Sequence, residues 1–237
     1  MTSFALRVFA LCCMFADHLN RTILPKYIWL TYIGRLAFPI FAFQLVEGYM
    51  HTRNKYKYAL RLFLFALISE IPFDLMAYGT PVYWGHQNIM WTLLLGFVCI
   101  YLADSSVKHL QVPVLRSLSR FILVFFFFTS ATILRLDYLG FGVLQIYLFY
   151  RFYDQKHFPL LIIGTLLVNY VGAGEPYIHL AGLSFPSQIL ATFALVPIYF
   201  YNGSLGYRSS TKVWQFFCYM FYPCHLALLF LLSVLFP

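Results

Sequence analysis

Two histidines, an aspartate and an arginine stand inside runs of residues that otherwise suit only lipid. Their types suit proton transfer and the stabilisation of developing negative charge. Asp17 and His18 fall late in the apolar run 4–24. An imidazole exchanges protons near neutral pH, so His18 reads as a general base in an open cavity. The alternative is a hydrogen-bonded histidine beside a structural ion pair, because Arg21 follows Asp17 by four residues and shares its helix face. Arg35 lies in Gly34-Arg35-Leu36-Ala37-Phe38-Pro39. Its guanidinium either snorkels to the membrane surface or offers a planar cation to a carboxylate, carbonyl or phosphate. Pro39 lacks a backbone N–H and predicts a kink at that point. His225 lies in the middle of the run 213–236, within Phe221-Tyr222-Pro223-Cys224-His225-Leu226. Tyr222 precedes it by three residues and can face the same cavity. A histidine flanked by Leu and Phe at that depth has no use as a surface residue, which points to function.

Other polar groups cluster near the ends of the runs. Glu47 and His51 are four apart, with Arg53 just beyond. They read as interfacial anchors or as the substrate-binding lip of an entrance for a phosphate-bearing donor. In the second case Arg53, Lys55, Lys57 and Arg61 supply the positive field such an anion needs. Glu70 and Asp74 flank Pro72 on one face, placed for acid–base chemistry, for a cation, or to cap a broken turn. Asn88, after His86 and Gln87, is a substrate-binding candidate or a bridge between helices. Asp137 before Tyr138 suits a helix N-cap. The five cysteines, Cys12, Cys13, Cys99, Cys218 and Cys224, fall in apolar runs without zinc-ligand spacing, and no metal site is expected.

The elements that must position these groups follow from composition. Hydrophobic residues make up 62% of the 237 and charged residues 10%, too few to cover a soluble domain, so lipid is the solvent this chain suits. The expectation is a single domain, 1–237, an all-α polytopic bundle with about nine spans (eight to ten). The spans are 4–24, 28–50, 57–78, 88–105, 117–134, 137–153, 158–174, 185–201 and 213–236. The first reads as a retained helix rather than a cleaved signal, since no basic region precedes it. The connections after spans two, four, six and eight carry Arg53, Lys55, Lys57, Arg61, Lys108, Arg116, Arg120, Arg151, Lys156, Arg208 and Lys212, eleven of the sixteen basic residues. The positive-inside rule then puts the N-terminus in the cytoplasm. The net charge of +8 is explained by topology, so no nucleic-acid partner is expected, only membrane lipids and the substrates. With this topology His18, Arg35, Asn88 and His225 share the outer half to the midplane, the depth expected of one polar pocket.

Asp17-His18, then Gly34-Arg35-Leu36-Ala37-Phe38-Pro39-Ile40-Phe41-Ala42, then Tyr201-Asn202-Gly203, then Phe221-Tyr222-Pro223-Cys224-His225-Leu226 resemble the TraX family, in order and across nearly the whole chain. The resemblance implies an inner-membrane acetyltransferase that uses acetyl-CoA as co-substrate, the family's named activity being N-terminal acetylation of a conjugative pilin. Its general design is similar to that of larger membrane acyltransferases. It implies catalytic roles for His18, Asp17, Arg35 and His225. The residues themselves then suggest a scheme in which His18 or His225 removes the acceptor proton, Asp17 orients an imidazole and Arg35 or Asn88 holds the oxyanion, with Cys224 as a covalent acetyl carrier in a variant. The acceptor is a peptide, lipid or small-molecule amine or hydroxyl. Broken helices with buried ionisable groups also suit a transporter of a small polar or charged solute, which would accumulate its substrate without consuming acetyl-CoA.

Overall fold

The computed structural model describes residues 1–172, 177–180, 182–207 and 211–235. Arg208 and the side chains of Lys108 and Lys212, all counted in the basic connections, lie outside the described residues.

The helices start and stop where local chemistry dictates. Helix α1 (Ser3–Thr22) begins where Thr2 Oγ1 accepts from the Ala5 N–H at 3.2 Å. Helices α2 (Trp29–Gly34) and α3 (Ala37–His51) form one membrane-length run broken at Arg35-Leu36. The break therefore lies just before Pro39 instead of at it. Pro39 takes the third position of α3, in the first turn, where a missing N–H costs nothing. Asn54 caps α4 (Lys55–Tyr78), and Gly79, at φ 69°, ends it in the left-handed region that favours glycine. Asn88 caps α5 (Ile89–His109), and Pro113 opens α6 (Pro113–Ile133). Helices α7 (Leu139–Arg151) and α8 (Phe158–Val171) are short.

One expectation changes here, because the chain is not purely helical. Strands β1 (Tyr177–Leu180) and β2 (Leu183–Pro186) pair antiparallel, Tyr177 with Pro186 and His179 with Ser184, around Gly182 at φ 79°. The aromatic and β-branched residues Tyr177, Ile178 and Phe185 favour a strand, and the left-handed glycine turns it back. Residues 185–186, expected to begin a helical span, close this hairpin. A 3-10 helix, Ser187–Ala194, follows and passes into α9 (Leu195–Tyr199). The chain ends in α10 (Lys212–Leu235), with Pro223 inside it.

All nine apolar runs contain helix. Among the described residues, four helical stretches are long and apolar enough to cross a membrane: Trp29–His51, Ile89–Ser106, Pro113–Ile133 and Val213–Leu235. Helix α1 packs against α2, α3 and α10, α4 against α5 and α10, and α7 against α3, α5, α6 and α8. Around the apolar core, both the surface and the buried polar groups depart from a water-soluble fold. Phe121, Ile122, Phe125 and Phe126 of α6 face outward, while Asp17, His18, Gln44, Asn88, Gln145, Asn169 and His225 are buried. An outward apolar shell, with polar side chains set within an apolar core, is the arrangement lipid selects.

Candidate functional site

The packing of α1 on α10 brings two residues 207 apart in sequence into contact: His18 Nδ1 stands 2.7 Å from His225 Nε2. The rings are nearly parallel, 15° apart, with centroids separated by 5.0 Å. Both are buried, His18 at 9% exposure and His225 at 4%. Their protons can be assigned from partners. His225 Nδ1 lies 2.7 Å from the Phe221 carbonyl oxygen, which only accepts, so Nδ1 carries the hydrogen and Nε2 is a bare acceptor. The contact then requires His18 to donate from Nδ1. That leaves the His18 Nε2 lone pair as the basic end of a two-imidazole relay, the order in which an oriented histidine acts as a base.

Around the pair the other groups sort by position. Asp17 Oδ2 pairs with Arg21 at 3.0 Å, and its Oδ1 is buried without a partner. The group that orients His18 is therefore His225; Asp17 faces Gly34 and Arg21 instead. Arg35, at the break between α2 and α3, has a buried Nε with no hydrogen-bond partner, and among the described residues no carboxylate pairs with it. It lies within electrostatic range of Tyr138, as do Asp17, Arg21 and Asp137. Tyr138 stacks on Phe38 with centroids 4.2 Å apart. Arg135, Tyr138 and Leu139 all hold positive φ, between 49° and 62°, an expensive conformation for residues with a Cβ. The loop is held there by Gln87, which exchanges backbone bonds with Arg135 and Asp137 at 3.0 Å each, and by Thr92, whose hydroxyl donates to the Asp137 carbonyl at 2.5 Å. Asp137 also lies 3.3 Å from His86. Tyr222 is buried, its ring 5.8 Å from that of His225 and 6.4 Å from that of His18.

Asn88 sits elsewhere in this arrangement than an oxyanion donor would. Its Nδ2 donates to the Ala66 carbonyl at 2.9 Å and to Glu70 Oε2, while its Oδ1 caps α5 through the Met90 N–H. Both amide hydrogens are engaged, so Asn88 bridges α4 and α5 and has none left for a substrate. Glu70 also accepts from Trp91 Nε1 at 2.7 Å, and Asp74 from the Tyr83 N–H at 2.7 Å. Cys224, beside His225 in sequence, faces outward, away from the pair.

Glu47, His51 and Arg53 belong to the opposite end of the molecule. Glu47 is clamped by the hydroxyls of Tyr153 and Tyr201, the latter at 2.9 Å, and His51 Nδ1 bonds the Glu47 carbonyl at 2.9 Å. Arg53 is exposed in the connection beyond. Glu47 and His51 form one wall of a cavity of about 390 Å³ whose other walls include Arg7, Arg61, Gln44 and Tyr58. A narrower cavity of about 120 Å³ shares Arg7, Gln44, Tyr58 and Tyr219 with it and continues past Leu11, Leu62 and Cys218 to Tyr222. The two abut, and together run from the basic end of the bundle to the neighbourhood of the histidines. Arg7 is the residue that sequence reasoning missed. Its signal was available, a charged side chain inside an apolar span, the same signal that picked out Arg35.

No solved structure matches the chain. A probable fimbrial assembly protein FimC, serogroup H1, from Dichelobacter nodosus is 29% identical over 248 residues, covering 96% of this chain and 94% of its own. The family model described as TraX protein matches residues 3–233, and with that span of agreement the chain belongs to the TraX family of membrane proteins.

Proposed function

We propose that the protein is an acetyltransferase of the cytoplasmic (inner) membrane, with nine crossings and its N-terminus in the cytoplasm. It transfers the acetyl group of cytoplasmic acetyl-CoA to an amine, the N-terminus of a pilin or other peptide, or to a hydroxyl. The observation that carries the reading is the direct contact of His18 with His225, with His18 Nε2 left as an unprotonated base. The cavities that lead from the basic end toward that pair support a donor arriving from the cytoplasm. The relative's name, a fimbrial assembly protein, supports a pilin-related acceptor.

In this mechanism the acceptor amine attacks the thioester carbonyl from the far side of the pair. His18 Nε2 takes the amine proton as the N–C bond forms, and His225 stabilises the resulting imidazolium through its Nε2. Arg35, the cation with an unpartnered Nε, offers hydrogen bonds to the oxyanion in a site of low dielectric. Collapse breaks the C–S bond, and the departing thiolate takes the proton from His18. No protein acyl intermediate is required.

The test is incubation of the purified protein with isotopically labelled acetyl-CoA and a synthetic pilin N-terminal peptide, followed by mass spectrometry of peptide and lipid. Label in the acceptor and release of free CoA support the reading. Solute accumulation in proteoliposomes with acetyl-CoA untouched would overturn it in favour of transport.

A further inference from the structure

Two cations line the larger cavity without a carboxylate to neutralise them. Arg7 donates from Nε to Gln44 Oε1 at 3.3 Å, and Gln44 is itself held by donating to the Ser3 carbonyl at 3.1 Å. Arg61 lies over two rings, its guanidinium 5.3 Å from the centroid of Tyr58 and 5.9 Å from that of Tyr219. Among the described residues neither arginine forms an ion pair. The carboxylate in the same wall, Glu47, is already occupied by the hydroxyls of Tyr153 and Tyr201. A cavity built this way has a positive field and fixed donors, the requirements for a polyanion.

The narrow cavity adds a length. Arg7 precedes His18 by eleven residues on α1, which is roughly 16 Å along the helix axis at the α-helical rise. A pantetheine arm, from its phosphate ester oxygen to its sulfur, is a chain of about thirteen atoms and roughly 15 Å when extended. The walls between these points, Leu11, Leu62, Met90, Cys218 and Tyr222, are largely apolar and suit a chain that carries no net charge.

We propose that Arg7 and Arg61 bind the phosphates of the acyl donor in the larger cavity, and that the narrow cavity threads its pantetheine arm to deliver the thioester beside Tyr222 and the histidine pair. This rests on the acetyl-CoA reading above and assigns its donor site. Of the four residues expected from the sequence to supply the positive field, it keeps Arg61 and leaves out Arg53, Lys55 and Lys57, since none of these three lines either cavity.

The experiment is calorimetric titration of CoA, without turnover, into wild type, Arg61→Gln, Arg7→Gln and Arg53→Gln, each checked for an unchanged unfolding midpoint. Arg61 is exposed, so its variant keeps the test standing if Arg7→Gln fails to fold. Expected are a loss of about tenfold or more in affinity for each of the first two, from a removed charge-assisted contact, and little change for Arg53→Gln. Adenosine 3′,5′-bisphosphate, which lacks the arm, should lose affinity in the same two variants. Wild-type CoA affinity in Arg61→Gln, a larger loss in Arg53→Gln, or no CoA binding by the wild type would overturn the assignment. CoA binding with this pattern but no acetyl transfer would leave the donor site standing and remove the proposed reaction alone.

Discussion

Asp17 fills the space in which a side chain at residue 34 would stand: a Cβ built on Gly34 falls 2.3 Å from the Asp17 Cβ and 2.9 Å from its carboxyl carbon. This close approach lets α1 and α2 pack with the Asn20–Thr31 bond between them, Thr31 Oγ1 donating to Asn20 Oδ1 at 2.7 Å. Gly34→Ala must push the helices apart, and His18 is the next residue along. We expect a loss of about 1–3 kcal/mol, the usual cost of overpacking, seen as a lower unfolding midpoint in detergent. Acetyl transfer should fall further than stability does, because the base moves with α1.

The proton assignment at the histidine pair has a direct spectroscopic test. Nitrogen-15 spectra of the labelled protein should show the Nδ1–H tautomer at both His18 and His225. An Nε2–H signal from His225 would contradict the relay. Replacing His225 by Ala should lower the rate by roughly a hundredfold or more, the scale of a lost acid–base arrangement, while His225→Gln should recover part of it by offering a carbonyl acceptor to His18 Nδ1–H.

Glu47 joins three parts of the chain at the basic end. In Glu47→Ala the hydroxyls of Tyr153 and Tyr201 lose a charged acceptor, with an expected cost of about 2–4 kcal/mol. Glu47→Gln keeps a carbonyl oxygen and should cost less than half of that. Paired unfolding curves of the two variants measure the difference.

A second buried polar chain holds the 3-10 segment onto α8. Gln188 Nε2 donates to Asn169 Oδ1 at 3.0 Å, Asn169 Nδ2 to Gln145 Oε1 at 3.2 Å, and Gln145 Nε2 to Thr165 Oγ1 at 3.0 Å. Asn169→Leu strands an amide on each neighbour and should lose about 1–3 kcal/mol. Hydrogen exchange should rise first in residues 187–199, next to the broken link.

The helical segments were readable because lipid leaves few options: a long apolar run between basic connections has one cheap conformation. The depth shared by His18 and His225 was readable for the same reason, since position in a span follows from residue count. Their contact was not, because nothing in the residues of α1 says that α10 is its neighbour. The break at Arg35-Leu36 was foreseen one turn late, at Pro39, because proline marks where a backbone hydrogen bond is missing and not where the chain chooses to bend. The hairpin 177–186 escaped because Tyr177 to Gly182 fall between the expected spans 158–174 and 185–201, and Phe185 stands at the expected start of the second. Asn88 drew attention as an intramembrane amide, and its partners Ala66 and Glu70 lie on another helix that the sequence alone could not bring near.

Helices α7 and α8 have 13 and 14 residues, and the 3-10 helix with α9 is no longer. At 1.5 Å per residue α7 and α8 reach roughly 20 Å, against a hydrocarbon layer of about 30 Å. Under the nine-crossing topology proposed above, the bilayer flanking this side of the protein thins locally to meet them. In that arrangement headgroups and water are drawn closer to the middle of the bundle on one flank. A substrate anchored in the leaflet by its own hydrophobic segment would meet the protein where the barrier is shallowest.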